Sequence, residues 1–390
     1  MAKEKEIRDI PEVPANPRKP TGIKRFSMND YKKKIKAEDI PDKPLEWIKL
    51  SDALETATGM KGYLKGYVTT FCGYSNTGKS TALELGVVEG QKAGLLPIII
   101  DTENNISKYR LELMGFDWSG NYISIDNEYL LQNFGKKLNP KRKQAAIEDL
   151  ANCIRFFIRE QENGDLPFDL LFAIDSIGTL DCSKKIDAKE ANAEAIINID
   201  ADKAAKLKAD SNYWNAGAYE SEFMDILFNL IPNSRKVNKP YTNTFIAVQK
   251  IGFDAQNVVI TMKGGKTWEF GPRLQYFFGG VLTKGVKRIT ATSKKREVSY
   301  GTMVRANILK NHLDGPLGGL SMEGQVISVP HGFIEVDKVE EYKKNNILYF
   351  RNLFGDDVIA DDIESGEKIV NLKPENDGLT FDKPSFELES

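Results

Sequence analysis

An α/β protein built on a mostly parallel central sheet is the fold this sequence predicts. Two patterns predict it. From Gly66 onward, short β-branched runs alternate with segments of helical period, and 168-FDLLFAID-175 is nearly all apolar, as a strand buried on both faces must be. The length of 390 residues and the 41% hydrophobic content supply the apolar mass that such a core needs.

In chain order, residues 1–46 hold six of the 16 prolines and read as an extended arm. Within it, 18-RKPTGIKRFSMNDYKKKIK-36 is strongly basic, with a short helix from Met28 to Lys36. It is either a solvated arm or one that contacts nucleic acid or a neighbouring subunit. Residues 47–335 carry the core. GYVTTFC (66–72) is a buried strand ending at glycine, Lys79 to Lys92 a helix, PIIID (97–101) a second strand, Ser107 to Met114 a helix, and YISI (122–125) a third strand. Gln144 to Glu162 places Ala146, Leu150, Cys153, Ile154, Phe157 and Ile158 at helical spacing. FDLLFAID is the fourth strand and TFIAVQ (244–249) the fifth.

Between those two strands, residues 183–216 are polar, Ala-rich and longer than an ordinary connection, and Tyr219 to Ile231 is an amphipathic helix. Residues 250–273 contain four glycines and read as a long mobile loop. Four later runs between Gln275 and Val336 read as antiparallel strands. Residues 336–354 form a small helical region, and from Gly355 to the end 11 acids face three lysines in what reads as a flexible acidic tail.

No apolar run approaches the ~18–20 residues of a membrane span, and MAKEKEIRDI lacks the apolar segment of a secretory signal. Cys72, Cys153 and Cys182 cannot all pair and show no CxxC spacing, which fits a reduced cytoplasmic compartment without structural zinc. With two histidines, a multi-histidine metal site is excluded.

The strongest motif is 73-GYSNTGKST-81, which fits G-x-x-x-x-G-K-[ST] between a strand and a helix. Gly73 and Gly78 let the backbone of Ser75, Asn76 and Thr77 turn its N–H groups toward phosphate, and the helix start at Gly78 presents its positive end to the anion. The Lys79 ammonium neutralises β/γ oxygens; Ser80 is a Mg²⁺ ligand, beside Thr81. This points to ATP and Mg²⁺. Asp175, at the carboxyl end of the buried fourth strand, is the second candidate for the Mg²⁺ shell. Glu103, just past the second strand, is placed to orient the attacking water; Asp101 competes for that role, although its position at the strand end favours a bond to the loop. Gln249 closes the fifth strand and is either a γ-phosphate sensor or a polar strand cap.

In this order, the P-loop, 101-DTE-103, Asp175-Ser176, and a strand ending at Gln249 before a loop bearing Gly264 and Gly265, the chain resembles the RecA family of strand-exchange recombinases, particularly the phage UvsX type. The resemblance covers roughly Trp47 to Phe333 and implies a RecA-type P-loop ATPase core. It further implies a filament-forming, DNA-dependent ATPase of recombination and repair, with Glu103 as base and Gln249 as γ-phosphate switch. ATP is then bound between subunits of a helical homo-oligomer, with Lys310 and His312 reaching the neighbour's γ-phosphate. His312 departs from the family's second lysine, and a hydrogen-bonded core histidine is its other reading. Arg110 stands where the family has a tyrosine stacked on adenine, with Tyr109 adjacent. The first DNA-binding loop falls within 183–216. The implied partners are single-stranded DNA, homologous duplex DNA, and mediator and single-strand-binding proteins, in the cytoplasm (the host's, if the chain is phage-encoded).

The net charge of -2 hides an asymmetry. Residues 235–310 hold 15 bases against three acids, a source of salt-sensitive phosphate contacts. Lys250, Phe253, Lys263, Lys266, Trp268, Phe270 and Arg273 interleave cations with aromatics, which either stack on bases or anchor the loop on its own domain. Lys294-Lys295-Arg296 also fits a solvated hairpin turn. The acidic tail either competes with DNA for the basic face or simply aids solubility. The alternatives are another RecA-fold ATPase, such as a ring helicase or a KaiC-like switch, or a non-catalytic ATP-dependent DNA-binding assembly protein.

Overall fold

The computed structural model describes residues 27–34, 40–197, 212–254, 259–281, 285–313 and 322–371. The chain divides into two units, Met1–Pro41 and Asp42–Ser390. In the first, the described element is the helix Met28–Lys34; residues 18–26, 35 and 36 of the basic stretch lie outside the described residues. The boundary falls ahead of residue 46 because the segment after Pro41 is already bonded into the second unit: Lys43 N donates to Arg235 O (2.7 Å) and Lys65 N to Glu46 O (3.0 Å).

The second unit opens with an antiparallel pair, β1 (Trp47–Lys49) and β2 (Gly62–Leu64). The strands that follow are β3 (Val68–Gly73), β4 (Leu96–Asp101), β5 (Ile123–Asp126), β6 (Leu170–Ile177), β7 (Asn243–Asp254), β8 (Val259–Met262), β9 (Leu274–Gly280), β10 (Gly285–Ser293), β11 (Arg296–Asn311), β12 (Glu323–Val329), β13 (Gly332–Ile334) and β14 (Glu364–Asn371). They form one twelve-stranded sheet ordered β13-β12-β11-β9-β3-β7-β6-β4-β5, with β10 on β11, β14 on β10 and β8 on β7. The block β9-β3-β7-β6-β4-β5 is parallel. β9, expected among the antiparallel strands, is parallel to β3 and antiparallel to β11, so the sheet changes direction there.

Burial explains the parallel block. Every residue of β3 and β6 is buried. Along β6, Leu171 and Ala173 enter one core with the helix Lys79–Lys92, while Leu170, Phe172 and Ile174 enter another with the helices Ile147–Asn163 and Asn212–Asp225. A third core joins Ile289, Met303 and Ile327 of the antiparallel half to Tyr342 and Phe350 of the helices Val339–Asn345 and Ile347–Phe354. Among the described residues, no helix is long and apolar enough to cross a membrane. All three cysteines are buried and free.

Two further expectations are corrected. The stretch 250–273 is not one mobile loop: β7 runs on to Asp254, β8 pairs back on it, and a short helix, Gly265–Phe270, follows. The order comes from Trp268, which is fully buried and packs on Phe223 and Phe245 at ring centroid distances of 5.3 and 5.5 Å. The acidic segment is not flexible throughout either. Residues 364–371 form β14 on β10, where Glu367 pairs with Lys287, and Asp357 pairs with Lys294. Residues 372–390 lie outside the described residues. Lys294 and Lys295 have φ of 50° and 67° and form the turn between β10 and β11, as the hairpin reading required.

Candidate phosphate and nucleic-acid site

The carboxyl ends of neighbouring parallel strands gather the candidate residues. In register, Asp101 pairs with Asp175 across β4 and β6, Ile177 with Gln249 across β6 and β7, and Gly73 with Lys250 across β3 and β7. In open α/β sheets, this edge is where ligands bind.

Gly73 has φ 141°, and a Cβ there would lie 2.0 Å from the Phe278 carbonyl oxygen, so only glycine lets β3 turn this close to β9. The loop is closed from within: Thr77 Oγ1 donates to Tyr74 O (2.6 Å), and so does Lys79 Nζ (2.5 Å). Ser75 and Asn76 are exposed at its tip, and Asn76 has φ 59°. Gly78 is the N-cap of the helix Lys79–Lys92 and has no side chain to close the first turn, whose N–H groups are thus suited to an anion. Burial lowers the pKa of Lys79, against the pull of Asp175.

Ser80 Oγ donates to Asp175 Oδ2 at 2.8 Å. Burial pushes the Asp175 carboxyl up to about 6; the Ser80 bond opposes this, while Glu103 and Asp101 add to it. The Asp175–Ser176 peptide is cis. A hydroxyl and a buried carboxylate side by side are hard oxygen donors of the kind Mg²⁺ takes, and they fit that ion. Among the described residues no group of three or more His, Cys, Asp or Glu could hold a metal, so phosphate and water oxygens would complete the shell.

Glu103 sits half-covered beside these groups. Its Oε1 accepts from Ser176 Oγ, from Thr179 Oγ1 (2.7 Å) and from Lys250 Nζ (3.0 Å); its Oε2 accepts from Asn105 Nδ2 (2.9 Å). Burial would raise its pKa, but the two hydroxyls and the lysine outweigh burial and hold it below the ordinary glutamate value. Asp101 accepts instead from the backbone N–H groups of Glu103 (3.1 Å), Asn105 (3.2 Å) and Ile106 (2.9 Å) and shapes the loop that presents Glu103. Gln249 is fully buried within β7; its Nε2 donates to Lys263 O (2.9 Å) and Trp268 O (3.4 Å), which ties the strand at the sheet edge to the hairpin and its helix.

Arg110 is anchored rather than free to stack: Nη2 donates to Thr81 Oγ1 (2.6 Å) and pairs with Glu84 Oε2 (2.9 Å). Burial raises Glu84 to about 7, with Arg110 opposing. Tyr109, exposed beside it, remains the open aromatic surface there. Lys310 Nζ donates to Glu269 O and Phe270 O, both at 2.9 Å, capping the short helix, and burial helped by Arg273 brings its pKa down to about 8. His312 is exposed, which removes its core-histidine reading; its backbone N–H donates to Arg273 O. His331 is hydrogen-bonded, its Nδ1 lying 2.6 Å from the Tyr342 hydroxyl.

Along the hairpin, Lys250, Lys263, Lys266, Phe270 and Arg273 are exposed. Trp268 is not available to DNA bases in this fold; it anchors, as the second reading of the aromatics had it. Gly264 and Gly265 have φ of 101° and 71° and start the short helix. Phe253 pairs with Ile260 in the hairpin, and its side chain lies outside the described set, as do residues 198–211 of the region expected to hold the first DNA-binding loop.

Sequence reasoning passed over Ser176 and Thr179 as partners of Glu103, and Glu84 as the acid that pins Arg110. Ser176 had a signal in its place next to Asp175, and Thr179 follows one turn later. Glu84 had none beyond its position one turn after Ser80 on a helix.

Fold and site define a P-loop α/β protein with its acids at the carboxyl edge of a parallel sheet. No protein-family model matches the chain. Over 91 residues it is 33% identical to Protein RecA of Aquifex aeolicus (strain VF5), which covers 23% of this chain and 24% of that protein. Over 105 residues it is 30% identical to Protein RecA of Porphyromonas gingivalis (strain ATCC BAA-308 / W83), 27% of each chain. The matched stretch thus spans about a quarter of the length of these curated relatives, and over that stretch the chain is RecA-like.

Proposed function

We propose that this protein is a DNA-dependent ATPase of RecA type that forms filaments on single-stranded DNA and promotes homologous pairing and strand exchange with duplex DNA. Within that class, 101-DTE-103 favours the phage UvsX type and hence a host cytoplasm. The observation that carries the reading is the gathering of the phosphate loop, Asp175 and Glu103 at the carboxyl ends of β3, β6 and β4, with a basic hairpin tied to the same edge through Gln249 of the intervening β7.

In this reading ATP lies on the Gly73–Thr81 loop at a subunit interface, with Tyr109 against the adenine. Glu103 takes a proton from water as the water oxygen bonds to phosphorus and a phosphoanhydride bond breaks, the leaving phosphate carrying away the electron pair. Ser80 and Asp175 would hold Mg²⁺, which would supply charge neutralisation at the phosphate oxygens. Gln249 and Lys310, both bonded to the short helix, pass the loss of γ-phosphate to the hairpin. Lys310 and His312 reach the neighbour's nucleotide. Mediator and single-strand-binding proteins are further partners in this scheme.

Negative-stain microscopy of the full chain with single-stranded DNA and a non-hydrolysable ATP analogue tests the assembly. Continuous filaments are expected; closed rings would instead identify a ring helicase, and no assembly would reject the filament. In ATPase assays Lys79→Ala should abolish turnover, whereas Glu103→Gln should bind ATP and hydrolyse it slowly.

A further inference from the structure

Both carboxylate oxygens of the candidate base are engaged. Three of the partners, Ser176 at the end of β6, Thr179 just after it and Asn105 in the loop after β4, lie close to the carboxylate in the chain's own strand ends. The fourth comes from elsewhere. Lys250 lies on the strand that continues into the hairpin, beside Gly73 in register, and its carbonyl accepts from Lys263 N at 2.8 Å, so the hairpin closes on this residue. Its side chain is 45% exposed against 16% for Glu103, so the lysine reaches in from the solvent side.

We propose that Lys250 is a positioning residue that restrains Glu103 until single-stranded DNA draws the lysine away, so that hydrolysis waits for DNA. This rests on the DNA-dependent ATPase reading above and names the contact through which DNA acts. While paired, the ammonium occupies the carboxylate oxygen that must accept a proton from water, and it reduces that oxygen's basicity. An ion pair this exposed is weak, and a phosphate backbone competes for it well. A lysine suits the exchange, because its compact charge moves between acceptors without the fixed geometry of a guanidinium fork. The residues freed are a base still oriented by Ser176 and Thr179, and a cation now on DNA. The nucleic acid never touches the nucleotide.

The test is steady-state ATPase of the full chain, with and without single-stranded oligonucleotide, for wild type, Lys250→Met, Lys250→Arg and the double variant Lys250→Met/Glu103→Gln. Lys250→Met should raise the DNA-free kcat by about two- to fivefold, the range that one such exposed ion pair controls, and stimulation by DNA should shrink by the same factor. The KM for ATP should stay within about twofold, since the lysine acts on the base and not on the nucleotide. Lys250→Arg restores a cation and should return the DNA-free rate toward wild type. The double variant should lose the gain. A wild type stimulated by DNA, with a Lys250→Met rate in its absence unchanged or lowered, overturns the restraint alone. A wild type without ATPase activity, or indifferent to DNA, overturns the parent reading and this inference with it.

Discussion

The phosphate loop and the hairpin leave the sheet side by side, at Gly73 and Lys250, yet they are held in opposite ways. The loop is closed from within, the Thr77 and Lys79 side chains donating to Tyr74 O inside a few residues of chain. The hairpin is held from far away: Trp268 packs on Phe223 and Phe245, and Gln249 grips two of its carbonyls. A locally closed loop keeps its shape whatever happens across the sheet. A remotely anchored one shifts as a unit when its anchor is pulled, which suits the nucleotide-reporting role proposed for it.

Breaking the anchor should give the largest effect. Trp268→Ala removes a fully buried indole and should cost about 3–5 kcal/mol of unfolding free energy in urea titration. A loss of single-strand affinity with unchanged stability would instead make Trp268 a base-stacking residue and reverse the comparison.

The loop side stores its tension in buried acids. The Asp175 pKa is raised to about 6, so the folded state holds this proton more tightly than the unfolded chain does. Its contribution to stability is therefore complete below the ordinary aspartate range and is lost as pH rises through about 6. Asp175→Asn removes that dependence. Urea titrations of nucleotide-free protein should show the variant gaining about 2–3 kcal/mol on wild type between about pH 4 and pH 7. A difference that stays flat across this range would mean that the carboxyl is ionised throughout.

These contrasts also explain what the sequence disclosed. The phosphate loop was legible because glycines, lysine and serine act within nine residues, and the helix Lys79–Lys92 falls where periodicity put it. The parallel strands β3, β4, β6 and β7 were legible because burial on both faces leaves mostly apolar runs, as along β6, whereas the parallel direction of β9 had no local signal. The order of 250–273 was not, since four glycines and scattered cations look alike in a loop and in a hairpin pinned by one distant tryptophan. The same holds for β14, whose acids suggested solvent while Glu367 lies against Lys287. The Glu103–Lys250 pair joins residues 147 positions apart (250 − 103), and nothing local announces it.

On the hairpin, Phe270 is the exposed counterpart of Trp268, at 58%. Phe270→Ala should leave stability unchanged and weaken single-strand binding by about 1–3 kcal/mol, measured by fluorescence anisotropy at fixed salt. Equal affinity would leave the cations alone to hold DNA.

The smallest effect belongs to the far end of the chain, and the structure alters where to cut. A deletion from Gly355 would strip β14 from β10 and undo the Lys287 and Lys294 pairs, so any change in DNA binding would mix charge with unfolding. Cutting after Asn371 keeps the strand and removes five acids (Glu375, Asp377, Asp382, Glu387 and Glu389) with two lysines (Lys373 and Lys383), a change of +3 in formal charge (five negative charges lost, two positive charges lost). If those acids compete with phosphate for the basic half, duplex affinity should rise about two- to fivefold at low salt and the gain should fade as salt screens both partners. A gain that persists at high salt would point to lost steric blocking, and no gain at any salt would leave the segment to solubility. Either result would separate the tail from the restraint on Glu103, because the truncation leaves Lys250 and its carboxylate where they are.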